Sequence, residues 1–376
     1  MLELLFLLLP VAAAYGWFYG RNSLRQEELK GKASVAKNLS SGLNFLLTDQ
    51  EDKAIEQLLQ LLDIEAATID TYLALANLFR RRGDWDKAIR IHEKLHQLKL
   101  PKHQAQQIQL ELANDYYSAG LYDRAELLLT ALVSTDALRE KALKQLFSLF
   151  IATHDWHKAA AFAHEVDKTD SKSLRIAISN MRCQDQKKPL DAFALRLLTQ
   201  QYPQSIRPKM QLAQLLLQQQ QLDEAAVAFK AVLAQKPQWA AEVLPGLIQC
   251  QLPAQDWYQL LSQLAHQHKN ITATIYLADW LVQTGSPAAG EQLLLEKLQQ
   301  QPNIRLFQRV LQLRQITEPE HRAALHSIEQ MVNAYLETKI LFSCRNCGFK
   351  TRQAYWLCPS CQQWETVEPL SGIDGR

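Results

Sequence analysis

Four cysteines near the C-terminus form the densest group of chemically capable side chains in the sequence: Cys344-Arg-Asn-Cys347-Gly348 and, ten residues on, Cys358-Pro359-Ser-Cys361. A thiolate pair at C-x-x-C spacing can hold one metal through a tight turn, with Gly348 permitting the bend and Pro359 stiffening the second turn. Two such pairs complete a tetrahedral four-sulfur site for one metal ion, and this donor set suits iron and zinc alike. All four positions are filled by protein, so no coordination site is open to a substrate and the expected role is structural. Two disulfides are the alternative pairing, disfavoured in a reducing cytoplasm, and a thioredoxin-like motif would need one C-x-x-C in a βα context that is absent. Phe349, Tyr355, Trp356, Leu357 and Trp364 interleave with the cysteines, as the core of a minimal ribbon or as a surface docking it on the last helices.

The remaining candidates are bland. Cys183 and Cys250 stand alone in helical segments and read as small buried apolar residues. His92, His96, His154 and His157 lie at helical spacings with no acidic partner pattern, and read as surface or packing residues. No phosphate-binding loop, dinucleotide glycine motif, Gly-x-Ser-x-Gly or His-Glu-x-x-His occurs, which points away from an enzyme.

The elements that must carry the cysteines are helical. From Ile69 to Lys102, Tyr72, Leu75, Ala76 and Phe79 share one helical face, Gly83-Asp84-Trp85 makes a turn, and Ala88, Ile91, Leu95 and Leu98 share a second face before Pro101, which is expected to stop the helix. This is the 34-residue tetratricopeptide pattern. With Ala88 as phase marker it recurs at Ala54, Ala125, Ala159 and Ala225, with a degenerate repeat over residues 170–203 and weaker signals at Asp256-Trp257, Gly285 and Pro302. About seven or eight hairpins are expected, since one hairpin cannot bury its own apolar face. Residues 304–315 and 320–337 read as a closing cap with a polar outer face.

Composition agrees with one extended helical array. The 376 residues are 47% hydrophobic, with few glycines and prolines (12 and 13). The 41 basic and 39 acidic residues leave a net charge of +2, and Arg345, Lys350 and Arg352 are too few around the cysteines for a nucleic-acid footprint. Residues 2–19 carry one charge, Glu3, and end in an aromatic belt of Tyr15, Trp17, Phe18 and Tyr19, followed by Arg21, Arg25, Lys30 and Lys32. A helix of that length reaches about 27 Å, close to the hydrocarbon thickness of a bilayer. Basic residues after rather than before the apolar run disfavour a signal peptide, and the positive-inside rule puts the rest of the chain in the cytoplasm. The reading is an all-α tetratricopeptide-repeat solenoid with an N-terminal transmembrane helix (1–20), a juxtamembrane linker (21–32), the array with its helical cap (33–340) and a four-Cys ribbon with its tail (341–376).

The first helix of each hairpin should line the concave face of such a solenoid. By phase this face offers Asp70, Leu73, Asn77, Arg80 and Arg81, then Gln107, Leu110, Asn114, Tyr117 and Ser118, then Lys141, Lys144, Ser148 and Ile151. A groove with Arg80, Arg81, Lys141 and Lys144, and with Asn77 and Asn114 for a peptide backbone, suits a segment bearing carboxylates.

The anchor, the repeats and a terminal C-x-x-C-G-F … Y-W-x-C-P-S-C ribbon together resemble the lipopolysaccharide assembly protein B family over the whole chain. The resemblance implies a rubredoxin-like ribbon with iron or zinc on Cys344, Cys347, Cys358 and Cys361. Its inter-knuckle loop is shorter than in rubredoxin, and Gln362 stands where Gly often follows the second knuckle, so a structural metal is favoured over electron transfer. The resemblance also implies a cytoplasm-facing adaptor at the inner membrane that promotes degradation of the lipid A deacetylase LpxC by the membrane metalloprotease FtsH, and gathers other lipopolysaccharide biosynthesis or transport proteins. Nucleic acid is not an expected partner, and self-association stays open. An iron redox protein on a repeat scaffold is the alternative from another class.

Overall fold

A computed structural model describes residues 69–185 and 189–375, together with Trp17. The anchor, the linker and the repeat around Ala54 lie outside the described residues. Among those described, no helix is long and apolar enough to cross a membrane. The chain divides into two compact units, residues 1–138 and 139–376.

The described part of the first unit is four helices: α1 (Ile69–Arg82), α2 (Trp85–Gln97), α3 (Lys102–Ser118) and α4 (Tyr122–Val133). Tyr72, Ala76 and Phe79 of α1 interlock with Ala88, Ile91 and Leu95 of α2 and with Ile108 of α3, as the apolar period requires. Gly83 closes the first hairpin in the left-handed region (φ +87°), and the Asp84 N–H turns back to the Phe79 carbonyl at 3.0 Å. Gly120 repeats this at φ +76°. Pro101 does not end α2: that helix stops at Gln97, Leu98 is already extended, and Pro101 stands at the N-cap of α3.

Beneath these helices lies a polar network that the sequence reading missed. His92 and Asp115 are both fully buried and hydrogen-bonded to each other, and Arg80 pairs with the same Asp115 at 2.9 Å. His92 therefore does have an acidic partner, on the next hairpin rather than on its own helix.

The second unit continues with α5 (Arg139–Thr153), the short α6 (Trp156–Ala160) and α7 (Ala163–Asp167), α8 (Lys172–Gln184), α9 (Ala192–Gln201), α10 (Arg207–Gln218), α11 (Leu222–Gln235), a 3₁₀ turn (Pro237–Trp239), α12 (Ala240–Gln249), α13 (Ala254–His266), α14 (Ile271–Gln283), α15 (Pro287–Gln300), α16 (Ile304–Thr317) and α17 (Arg322–Glu337). Ala88, Ala125, Ala159 and Ala225 are all fully buried, which is why only a small residue fits where two helices approach. The segment read as degenerate holds α8 and α9. Asp256 and Trp257 are not a turn. They sit in the first turn of α13, and the left-handed residue is Gln251 (φ +52°). The closing helix α17 exposes Arg322, His326, Ser327, Gln330 and Glu337, and among them an apolar stripe of Ile328, Met331 and Tyr335, Met331 to 74%.

After α17 comes a three-stranded antiparallel sheet, β1 (Phe342–Cys344), β2 (Lys350–Thr351) and β3 (Val367–Pro369), in the order β2-β1-β3. Phe342, Cys344, Cys358 and Val367 form its core with Leu341, Phe349 and Cys361. This ribbon belongs to the same compact unit as α5–α17. Its tail returns to α16, where Asn303 Nδ2 donates to the carbonyls of Gly372 (2.8 Å) and Gly375 (3.0 Å) while Asn303 Oδ1 caps the helix by accepting from the Arg305 and Leu306 N–H groups.

Candidate metal centre

β1 delivers Cys344, and a tight turn delivers Cys347. Cys344 N–H donates to the Phe349 carbonyl at 2.7 Å, Gly348 N–H donates back to the Cys344 carbonyl at 2.9 Å, and Gly348 takes φ +76°. The second turn copies the first. Gln362 N–H donates to the Cys358 carbonyl at 2.9 Å, and Gln362 takes φ +55°, so a residue with a Cβ occupies the left-handed position that Gly348 fills in the first turn. The bridge between Leu357 and Trp364 clamps the base of this second turn.

The four Sγ atoms lie within 4.8 Å of one another. Cys344 and Cys361 are 3.7 Å apart, as are Cys347 and Cys358. A metal about 2.3 Å from each of four tetrahedral sulfurs sets an edge of about 3.8 Å, whereas a disulfide requires about 2.05 Å. The sulfurs are thus spaced for one metal ion and not for two disulfides. Burial pushes the Cys344 thiol up, but Thr366 Oγ1 at 3.3 Å and the Asn346 N–H at 3.4 Å stabilise its thiolate and bring it down to about 6. The backbone N–H of Phe349 lowers Cys347 likewise, whereas burial pushes Cys358 up to about 12. A cation held among the four sulfurs would let the buried Cys358 ionise.

The ribbon is fastened to the middle of the second unit, a connection the sequence reading did not foresee. Trp356 stacks on Trp239, with ring centroids 5.1 Å apart and planes 3° from parallel, and the Arg207 guanidinium lies over its ring. Trp364 meets Trp156 edge-on at 5.9 Å. Glu365 is buried and accepts from Asn180 Nδ2 (2.8 Å), from the Ser205 hydroxyl, and from the backbone N–H groups of Ile206 and Arg207 at the start of α10. Lys236 pairs with Glu368 on β3. Trp356, Trp364 and Glu365 therefore dock the ribbon on α6, α8, α10 and the 3₁₀ turn rather than on the last helices, while Phe349 packs in the ribbon's own core. One sequence signal pointed here. α10 begins at Ile206-Arg207-Pro208 with no side-chain cap of its own, so its first N–H groups need an acceptor from elsewhere.

The expected groove residues divide between the units. In the first, Asn77, Arg80 and Asn114 converge on one network: Arg80 bonds Asn77 Oδ1 (2.5 Å), Glu111 (2.6 Å) and Asp115, and Asn114 reaches Glu111 at 3.5 Å. Arg80 is thus engaged within the fold, Leu110 is buried, and Tyr117 packs against Tyr122 at 5.8 Å. Arg81 is exposed. In the second unit Lys141 is exposed, Lys144 pairs with Glu140 at 2.7 Å, and Lys144, Ser148 and Ile151 line a cleft whose other wall is the ribbon.

Residues 342–369 match the rubredoxin metal binding domain, and residues 71–104 match the tetratricopeptide repeat. Lipopolysaccharide assembly protein B of Escherichia coli K12 is 32% identical over 389 aligned residues, covering 100% of both chains, and that of Haemophilus influenzae is 32% identical over 99% of both. The chain belongs to the lipopolysaccharide assembly protein B family. Its identity with these relatives extends from end to end, and in this family member the metal-binding domain is the four-Cys ribbon described above.

Proposed function

We propose that this member of the lipopolysaccharide assembly protein B family is a membrane-tethered, cytoplasm-facing adaptor in lipopolysaccharide assembly, with its first twenty or so residues as the anchor. The end-to-end identity with relatives of that name carries the reading. In finer terms, it brings the deacetylase LpxC to the protease FtsH and so sets how much carbon is committed to lipid A. Its parts suit holding rather than converting: repeats that present surfaces to proteins, and four cysteines that would enclose a metal ion with no position open to a substrate. Tethering two weak interactions on one membrane-bound chain strengthens binding by about 10²–10⁴-fold without new contacts.

Iron and zinc both fit the sulfur set. The metal's contribution is to staple a ribbon too small to hold its own core, and so to keep Trp356, Trp364 and Glu365 in place. The deacetylase half-life after protein synthesis is blocked tests the adaptor reading. Deletion of residues 1–20 and Cys358→Ser, each at wild-type level, should lengthen it, and normal turnover in both variants would refute the reading.

A further inference from the structure

The cleft between the ribbon and helices α5 and α8 has a volume of about 790 Å³, within the range of about 300–1,000 Å³ typical of ligand sites. Its floor is apolar, from Phe147 on α5 and Trp364 on the ribbon. Cations stand on both walls: Lys144 and Lys172 on the helices, Arg345 on the ribbon. No carboxylate lines it among the described residues. Lys144 does pair with Glu140 (2.7 Å) and Arg345 reaches Glu368 (3.6 Å), but both cations keep more than half of their side chains in solvent, and Lys172 forms no ion pair with another described residue. Trp364 is buried, and its indole N–H has no acceptor.

We infer that this cleft binds an extended acidic peptide segment of a protein partner. The cations fit its carboxylates, and Trp364 with Phe147 fits an apolar side chain between them. The exposed carboxamides of Asn346 and Gln363 can both donate to and accept from a peptide backbone, which an acyl chain could not use. Because one wall is ribbon, the site exists only while the ribbon is docked. That the occupant is a protein rests on the adaptor reading. The binding measurement is independent of deacetylase turnover, so the two can fail separately.

The test is fluorescence anisotropy on detergent-solubilised, metal-loaded full-length protein, with a short labelled peptide of alternating aspartate and leucine. Lys172→Glu/Arg345→Glu should weaken binding by about tenfold or more and flatten its salt dependence. Ser148→Trp, which fills the cleft without changing charge, should also weaken it, and Arg322→Glu on α17 should leave it unchanged. The milder Lys172→Gln covers the case in which the double reversal misfolds, with metal content and circular dichroism as the check. Absent binding, equal binding of a control peptide with asparagine in place of each aspartate, or unchanged affinity in the folded cleft variants overturns the inference. So does stronger capture of phosphatidylglycerol vesicles with the same dependence on the variants.

Discussion

Both carboxylate oxygens of Glu365 lie 3.1 Å from the backbone nitrogen of Ile206, 159 positions earlier in the chain, so a residue of the ribbon caps the helix that starts there. A helix N-terminus carries unpaired N–H groups and a partial positive charge, and a carboxylate satisfies both. Ile206 cannot supply an acceptor itself, so α10 takes one from the ribbon.

Glu365→Ala should therefore cost about 2–3 kcal/mol, since it removes a cap, leaves the Ser205 hydroxyl buried without its acceptor, and takes from Asn180 Nδ2 one acceptor beside the Ile176 carbonyl it keeps at 2.9 Å. The four cysteines are untouched, so metal content should stay at one ion per chain. Chemical denaturation followed by circular dichroism measures the first effect and elemental analysis the second. A drop in stability of less than a few tenths of a kcal/mol would mean the cap contributes nothing.

Trp356→Ala should be worse, by about 3–5 kcal/mol, because it removes a large aromatic from between Trp239 and the Arg207 guanidinium. Trp239 should then gain solvent, seen as a red shift and stronger quenching of its fluorescence in a variant that keeps Trp239 as the main reporter.

Much of this was legible in the sequence. The 34-residue period found the hairpins because a small residue is needed wherever two helices touch, and Ala88, Ala125, Ala159 and Ala225 are all fully buried. C-x-x-C spacing found the four cysteines that converge because the turn that brings two thiols together is local. What escaped was non-local. The Arg80–Asp115–His92 network joins neighbouring hairpins, and Glu365 meets Ile206 across half the chain, so neither partner leaves a trace at a fixed spacing. Pro101 misled because proline is as welcome before a helix as after one. Residues 1–68 lie outside the described residues apart from Trp17, so the anchor stays a proposal.

Arg80 and Arg81 should separate in their effects although they are adjacent. Arg80→Ala takes from the fully buried Asp115 its guanidinium partner, leaving it His92 alone among side chains, and should lower the stability of the first unit by about 2–3 kcal/mol. Arg81→Ala, at an exposed position, should fall within about 0.5 kcal/mol of wild type. Thermal denaturation of both variants decides it. Equal losses would show that the network does not hold the hairpins together.

Gln362→Gly should strengthen the ribbon. Gln362 holds φ +55°, a conformation that costs a side-chain-bearing residue about 1–2 kcal/mol, partly offset by the greater freedom of glycine in the unfolded chain. A net gain of about 0.5–1 kcal/mol should appear as slower metal loss to a chelator. Faster loss would mean that the Gln362 side chain contributes more than its backbone costs.

Cys358→Ser should reach beyond the ribbon. Solenoid repeats contact mainly their neighbours, so from sequence alone the helices should ignore the loss of a terminal module. The docking contacts say otherwise. Metal binding at a four-sulfur site contributes about 10–16 kcal/mol that is also folding energy for the ribbon, and without it Trp356, Trp364 and Glu365 lose their support together. The N–H groups of Ile206 and Arg207 then lose their acceptor and Trp239 loses its stacking partner, so α10 and the 3₁₀ turn should loosen. The first unit shares none of these contacts. Amide hydrogen exchange should therefore accelerate at the start of α10 and around Trp239, in Cys358→Ser and in chelator-stripped wild type alike, while α1–α4 exchange as before. Unchanged protection at Ile206 and Arg207 in the metal-free protein would show that the ribbon rests on the helices without supporting them.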